Sequence, residues 1–173
     1  MSPEGKTVAK SFRINQAAIE ALHEEARKQT ISLNTLVNQL LVSYAEFGRY
    51  MKQMQSLTLT RQTFAGILNA AAEDKLIEAA KKAGKSAPET IVESMYGKMT
   101  LNGLIEYMHY LSGYANCFEY SEKEENGHWT ITFTHELGPK WSLFTANYFQ
   151  QALESAGVKS KYKISDRSTT FSI

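Results

Sequence analysis

Several features that define common protein classes are scarce in this chain of 173 residues. Cys117 is the single cysteine, which excludes an intramolecular disulfide framework and is compatible with a reducing compartment. No window approaches the roughly 18 apolar residues that a membrane-spanning helix requires, and residues 1–5 lack the apolar core of a signal peptide. The sequence therefore predicts a cytoplasmic protein that is not inserted in a membrane.

Catalytic motifs and a strong charge excess are also missing. The chain has no phosphate-binding glycine loop, nucleophile elbow or zinc-ligand spacing, so we expect no enzymatic activity and no cofactor. Its formal net charge is only +1. Residues 1–55 carry seven basic and five acidic side chains, hence +2, and residues 56–173 carry twelve and thirteen, hence −1. Any affinity for a highly charged partner must therefore depend on the local placement of charge.

The most informative pattern lies in the first fifteen residues. From residue 8 the side chains alternate as in a β-strand, with Phe12 and Ile14 on one face. The opposite face carries Ala9, Ser11 and Arg13. Because the pattern that follows is helical until about residue 55, this strand has no partner in its own part of the chain. We expect it to pair with another chain.

Two amphipathic helices follow the strand. The first begins near Gln16 and ends at Gln29-Thr30. Ser32 has the position and residue type of an N-cap for the second helix, whose apolar series is Leu33, Leu36, Val37, Leu40, Leu41 and Tyr44. The polar segment 53–60 comes next, and we place a boundary between domains 1–55 and 56–173 within it.

This order of elements resembles the ribbon-helix-helix domains of the Arc/MetJ class over residues 6–48. In that family two chains pair their strands into an antiparallel ribbon that enters the major groove of DNA. The resemblance implies an obligate homodimer whose core contains Phe12, Ile14, Leu36, Val37 and Leu40. Thr30 departs from the family, which usually has a glycine where the first helix ends. Lys10 also departs from it, because it falls on the apolar face.

The same resemblance assigns DNA contacts by position. Ala9, Ser11 and Arg13 face the bases, and a bidentate Arg13–guanine pair contributes about 1–3 kcal/mol of discrimination. Phosphates are bound by Lys6, by Lys10 and by the main-chain N–H groups of Ser32, Leu33 and Asn34. Residues 6–18 contain three basic side chains and no acidic one, a local field that suits DNA. In the alternative interpretation, this polar face is only the solvent-exposed side of a structural hairpin or edge strand.

Residues 56–173 predict an α+β domain that begins with helices. One helical pattern covers 61–82 and is stopped by Gly84. Ser86-Ala-Pro-Glu89 has the sequence of a capping box that opens a short helix through about Tyr96. Thr100 opens another helix, which ends before Gly113.

The strands of this domain come after these helices. Residues 114–121 and 128–135 flank a predicted hairpin turn at 122–127, and residues 158–164 and 168–173 form a second hairpin. A helix carrying Trp141 lies between the hairpins. We therefore expect a β-β-α-β-β order and a four-stranded antiparallel sheet whose aromatic face is covered by that helix. The segment His135–Ser142 faintly resembles uncharacterised C-terminal domains of archaeal regulators. This resemblance implies no activity.

The expected function is a sequence-specific, DNA-binding transcriptional regulator, in the manner of a repressor. Its partners are double-stranded DNA and a second copy of the chain, with pairing of dimers into tetramers left open. The C-terminal domain governs assembly or sensing. Eleven aromatic residues between positions 107 and 149 either form its core or line a pocket for a small-molecule effector.

Two alternatives stay open. Nickel-responsive ribbon-helix-helix repressors add a metal-sensing domain, for which the candidate ligands here are Cys117, His128 and His135. Strand parity places His128 and His135 on opposite faces, which argues against a shared site. Alternatively, the C-terminal domain holds a protein partner, as in an antitoxin or an assembly adaptor.

Overall fold

The computed structural model describes residues 7–50 and 57–173. The chain divides into two compact units, Met1–Gln53 and Met54–Ile173. The predicted boundary between residues 55 and 56 lies outside the described residues. None of the helices within the two described ranges combines the length and the apolar character that crossing a membrane requires.

The first unit is helical throughout its regular structure. Helix α1 spans Gln16–Lys28 and helix α2 spans Leu33–Ser43, after which a π-helical turn covers Tyr44–Gly48. Residues 7–15 belong to no helix or strand. Because a β-strand needs a second strand to accept and donate its main-chain hydrogen bonds, the predicted N-terminal strand is not formed within a single chain.

Side chains cap the start of both helices. The Asn15 side chain accepts a hydrogen bond from the Ala18 N–H at 3.3 Å, and Ser32 Oγ accepts one from the Thr35 N–H at 3.0 Å. Each cap satisfies one of the four N–H groups that a helix start leaves without an intrahelical acceptor. The predicted start near Gln16 and the predicted N-cap at Ser32 are confirmed.

The turn between α1 and α2 is a Schellman motif with a threonine in the left-handed position. The N–H of Thr30 donates to the Arg27 carbonyl at 3.2 Å, and the N–H of Ile31 donates to the Ala26 carbonyl at 3.0 Å. Thr30 has a φ of +57°, a conformation in which a β-branched side chain is strained. The turn therefore has the geometry that glycine favours, without the glycine.

Three helices begin the second unit. They are α3 (Arg61–Ala70), α4 (Glu73–Tyr96) and α5 (Leu101–Ala115). The predicted helix over 61–82 is thus two helices, which separate at Ala71 and Ala72 in extended conformation. The Lys140 ammonium donates to the carbonyls of Asn69 and Ala71, so it holds the end of α3 in place. The predicted start of the next helix at Thr100 is confirmed.

Helix α4 continues through the residues that were expected to interrupt it. Gly84 is not a stop, and the capping box at Ser86–Glu89 is not formed. Ser86 Oγ instead donates back to the Lys82 carbonyl at 3.3 Å, as a hydroxyl inside a helix commonly does. Pro88 lies within the helix and is fully buried. Burial of this helix face outweighs the unfavourable helix propensities of glycine and proline.

Gly84 lies where α4 meets a later helix, α6 (Pro139–Ser155). A Cβ atom at position 84 would lie 2.8 Å from the carbonyl carbon of Tyr148, and closer still to its oxygen. The main chains of the two helices therefore approach each other at a distance that only glycine permits. Ala80 and Val92, on the same face of α4, are also fully buried.

The sheet has four antiparallel strands in the order β1-β2-β4-β3. The strands are β1 (Glu119–Glu125), β2 (His128–Thr134), β3 (Lys161–Ser165) and β4 (Ser168–Ser172). This confirms the predicted α+β class, the two hairpins and the antiparallel sheet. In the register, Tyr120 pairs with Phe133, which in turn pairs with Thr169.

The first hairpin differs from its prediction at both ends. Residue 114 belongs to α5, which ends where Asn116 adopts a φ of +51°, so the strand begins only at Glu119. The charged residues expected in the turn extend β1 instead. The turn itself consists of Asn126 and Gly127, with φ values of +53° and +79°, because a two-residue hairpin turn of this type needs both residues in the left-handed region.

One face of the sheet packs against α6 and forms the main core. Phe149 of α6 stacks on Phe133 with ring centroids 4.5 Å apart, and Ile131 is fully buried between strands and helices. Trp129 is half-buried on the same face, whereas Thr130 is exposed on the other. The inward positions predicted for β2 are confirmed.

The two edge strands carry opposite charges. β1 contains four glutamates and Lys123, and β3 contains Lys161 and Lys163. These residues are exposed. Exposed charges of one sign on an edge strand oppose its pairing with the same edge of a second copy.

Substitution of Gly84 tests the close approach of α4 and α6. We expect Gly84→Ala to lower the free energy of unfolding by about 1–3 kcal/mol, because the added methyl group must push two main chains apart. Gly66→Ala is the matched control: no atom lies within 4 Å of its added Cβ, so it should raise stability by about 0.5–1 kcal/mol. Urea unfolding followed by tryptophan fluorescence reports both. Equal effects of the two substitutions would contradict the close approach.

Substitution of Thr30 tests the strain in the α1–α2 turn. Thr30→Gly should stabilise the first unit by roughly 0.5–1 kcal/mol, because relief of about 1–2 kcal/mol of left-handed strain exceeds the entropy that glycine costs. Thr30→Ala keeps its Cβ atom and should gain much less. Amide hydrogen exchange in α1 and α2 measures the change. A destabilised Thr30→Gly variant would show that the turn is not strained.

Candidate functional site

The polar face of the N-terminal segment is open to solvent. Ala9, Ser11 and Arg13 are all exposed, as is Lys10, which alternates onto the apolar face, and no acidic residue lies between them. Lys6 lies outside the described residues. The predicted base-contacting residues are therefore accessible along one short stretch of chain, with two cations and no competing carboxylate.

The apolar residues of the same segment are also exposed. Phe12 is 70% exposed, Ile14 is 47% exposed, and Leu40 of α2 is 50% exposed. Two other residues predicted in the dimer core differ: Leu36 is buried and Val37 is half-buried. In residues 7–50 the buried apolar side chains are Ala26, Leu36 and Phe47, a small core for an independent domain. A single copy thus leaves much of its apolar surface in water.

The start of α2 offers main-chain donors to an anion. The first intrahelical hydrogen bond at this end runs from the Leu36 N–H to the Ser32 carbonyl, so the N–H groups of Leu33 and Asn34 precede it and have no acceptor within the helix. The first turn of α2 contains no acidic residue. Main-chain N–H groups and the helix dipole at such an end attract phosphate.

The three candidate metal ligands are not brought together. His128 is exposed at the start of β2, whereas Cys117 and His135 line one cavity of about 210 Å³ at the other end of that strand. Both ring nitrogens of His135 have protein partners, Ser142 and the Leu137 N–H. Within residues 7–50 and 57–173 there is no group of three His, Cys, Asp or Glu side chains that could hold a metal ion.

His135 is held as a neutral ring. Its Nδ1 accepts from the Leu137 N–H at 3.3 Å, so the proton is on Nε2, which donates to Ser142 Oγ at 2.8 Å. Burial, and to a smaller extent the charge of Arg167, lowers the pKa of His135 below its ordinary value. Protonation would remove the acceptor at Nδ1. The hydrogen bond from His135 to Ser142 joins the end of β2 to α6, so this histidine has a structural role.

The aromatic residues of the second unit form both a core and a cavity. Phe118, Phe133 and Phe149 pack on one another in the core. Trp141, Phe144 and Tyr148 stack in sequence along α6, and they line a second cavity of about 210 Å³. The sequence left core and pocket as alternatives; the structure contains both. Thr145 also lines this cavity. No sequence pattern marks it, because a threonine on an amphipathic helix has no distinguishing spacing.

Comparison of the chain with protein-family models, with curated proteins and with solved structures gives no match. The two resemblances drawn from the sequence therefore depend on the residue patterns alone.

The pH dependence of stability tests the His135 environment. The unfolded chain binds a proton at His135 more readily than the folded protein does, so this group contributes stability above about pH 6.5 that is lost as the pH falls through the lowered pKa. His135→Gln should flatten the decline in unfolding free energy between about pH 8 and pH 5. His128→Gln, at an exposed position, should leave the decline unchanged. If the unfolding free energy of His135→Gln declines with pH as steeply as that of the wild type, the result would contradict a buried neutral ring.

Proposed function

We propose that the protein is a homodimeric DNA-binding transcriptional regulator whose N-terminal segments pair into an antiparallel ribbon. The observation that carries the proposal is the exposure of Phe12 and Ile14 on alternate positions of a segment that pairs with no strand among residues 7–50 and 57–173. Pairing of two such segments satisfies their main-chain hydrogen bonds. It also buries both apolar side chains against the exposed Leu40 of each α2.

Pairing in this register gives the DNA-contacting face. When Phe12 and Ile14 turn inward, strand alternation directs Ala9, Ser11 and Arg13 outward. Each ribbon then presents two copies of Arg13, suited to guanine pairs in a pseudo-palindromic site. The N–H groups at the start of α2 bind the flanking phosphates. Lys10 shares the face of Phe12 and Ile14, and its long side chain reaches these phosphates from the edge of the ribbon. The position of Lys6 in the sequence assigns it to the same phosphate contacts.

The proposal also covers the cellular compartment of the protein and the role of the second unit. A single cysteine suits the reducing cytoplasm, where a transcriptional regulator acts. The second unit serves assembly or sensing. A metal-responsive regulator has less support, since His128 lies apart from Cys117 and His135 and both His135 nitrogens already have partners. If DNA binding fails, the function to adopt is that of an adaptor whose C-terminal domain binds a protein partner.

The first experiment measures binding to fluorescent DNA from the upstream region of the gene, beside a scrambled duplex, over a salt series. We expect the wild type to prefer the upstream duplex, with affinity that falls as salt rises. Arg13→Ala should lose about 1–3 kcal/mol of that preference. Arg27→Ala removes the same charge from an exposed site in the last turn of α1 and should keep the preference. Weak, equal binding to both duplexes that Arg13→Ala does not change would count against ribbon readout.

A second variant separates dimerisation from DNA contact. Phe12→Ala should weaken the dimer by at least about 3 kcal/mol, because two buried rings are lost per dimer, and DNA binding should fall with it. Leu57→Ala, at a side chain that is 88% exposed in the second unit, is the control. Analytical ultracentrifugation across a concentration series measures the dissociation constant. A Phe12→Ala protein that stays dimeric and binds DNA normally would show that the register is wrong.

A further inference from the structure

The two edges of the sheet differ in how readily they accept a further strand. On β1, Glu122 and Glu124 lie on the same face of the sheet as the core residue Ile131. Carboxylates on the inner face close an edge, because an added strand would bury them without partners. On β3 the inner positions are Tyr162 and Ile164. The β3 edge therefore lacks the inward charges that protect the β1 edge.

The apolar layer of the sheet continues to the β3 edge and stops there in solvent. Tyr162 is 39% exposed and Ile164 is 42% exposed. Phe171, which pairs with Tyr162 from the next strand inward, is 0% exposed, and the two rings lie with centroids 5.8 Å apart. A strand added beside β3 would extend this layer and cover both exposed side chains.

The main chain of β3 has hydrogen-bonding groups that face the open edge. Ser165 and Ser168 pair across a two-residue turn, so they exchange main-chain hydrogen bonds, and every second pair along the two strands does the same. Lys163 therefore bonds to β4, whereas Tyr162 and Ile164 direct their N–H and C=O groups away from it. No main-chain hydrogen bond joins β3 to any described residue outside β4. These groups are available to an incoming strand.

The outer face of the same edge is positively charged. Lys161 and Lys163 alternate with the apolar residues, and Lys159 precedes them at the same spacing. All three are exposed, and none forms an ion pair with a described residue. Because Lys161 and Lys163 bond to β4, an incoming strand meets them in non-hydrogen-bonded pairs, in which side chains approach most closely. Opposite charges at such positions are stabilising, and like charges are destabilising.

We propose that the β3 edge binds an extended peptide in which acidic and apolar residues alternate, added antiparallel as a fifth strand. Its apolar residues lie opposite Tyr162 and Ile164 and exchange main-chain hydrogen bonds with them, and its acidic residues lie opposite Lys161 and Lys163. In this mode of recognition, main-chain bonds supply affinity and alternate side chains supply specificity. The β1 strand of a second copy fits less well, since glutamates occupy its inner positions. The inference is independent of DNA binding, because these residues lie within 57–173.

The test measures the fluorescence anisotropy of a labelled peptide of alternating valine and glutamate, titrated with the full chain. We expect saturable binding that weakens as salt rises. A control peptide of the same composition, with all glutamates before all valines, has the same charge and should bind at least about tenfold more weakly, because it cannot place both side-chain types correctly. Absence of saturable binding, or equal binding of the two peptides, would overturn the proposal.

Methylation of the peptide main chain tests the register. N-methylation of the valines removes the N–H groups that bond to Tyr162 and Ile164 and should abolish binding. N-methylation of the glutamates, whose N–H groups face away from β3, should leave most of the binding intact. Equal loss from both patterns of methylation would show that the peptide does not add as a strand in this register, and the proposal would fail.

Charge reversal identifies the edge that binds. Lys161→Glu combined with Lys163→Glu should weaken binding of the acidic peptide at least about tenfold and should create binding of a matched peptide that carries lysine in place of glutamate. Lys82→Glu combined with Lys85→Glu makes the same change of net charge at exposed positions of α4 and should change neither result. Equal binding by the two double variants would show that the peptide does not occupy the β3 edge.

Discussion

The contact of Gly84 with the main chain at Tyr148 is the constraint on which the second unit depends. It sets the distance between α4 and α6, and α6 is the helix that covers the sheet through Phe149. Because Tyr148 is at this contact, its hydroxyl reaches Tyr107 of α5. Thr145 lies one turn earlier on α6, so the same placement positions the wall of the aromatic cavity. A side chain at position 84 would therefore disturb the core, the tyrosine pair and the cavity together.

The parts of this fold that local chemistry determines could be predicted from the sequence. Helix starts at Ser32 and Thr100 follow from side-chain oxygens that accept a nearby N–H, and the Asn126-Gly127 turn follows from backbone conformations that few residues adopt. Gly84 and Pro88 misled the prediction because their local preferences, which disfavour a helix, are outweighed by burial against a helix that begins some fifty residues later. The place of Thr145 in the wall of the aromatic cavity could not be predicted, since it depends on what surrounds a side chain in three dimensions.

The two units differ in how complete they are as single chains. The second has a continuous aromatic and aliphatic core with its sheet covered on one face. The first keeps Phe12 and Ile14 in water and gains few buried side chains from its two helices. Strain at Thr30 adds to this deficit. If a second copy supplies the missing partner, folding of the first unit depends on protein concentration, whereas folding of the second does not.

The opposite charges of the two edge strands make the sheet an electrostatic dipole, negative along β1 and positive along β3. Two copies that approach through the same edge repel each other, whereas the β1 edge of one attracts the β3 edge of another. An association of that second kind does not close on itself and would extend into a chain of copies. Ions at physiological concentration screen charges beyond about 8 Å and weaken this attraction. Colloidal stability of the protein should therefore be better in moderate salt than in dilute buffer.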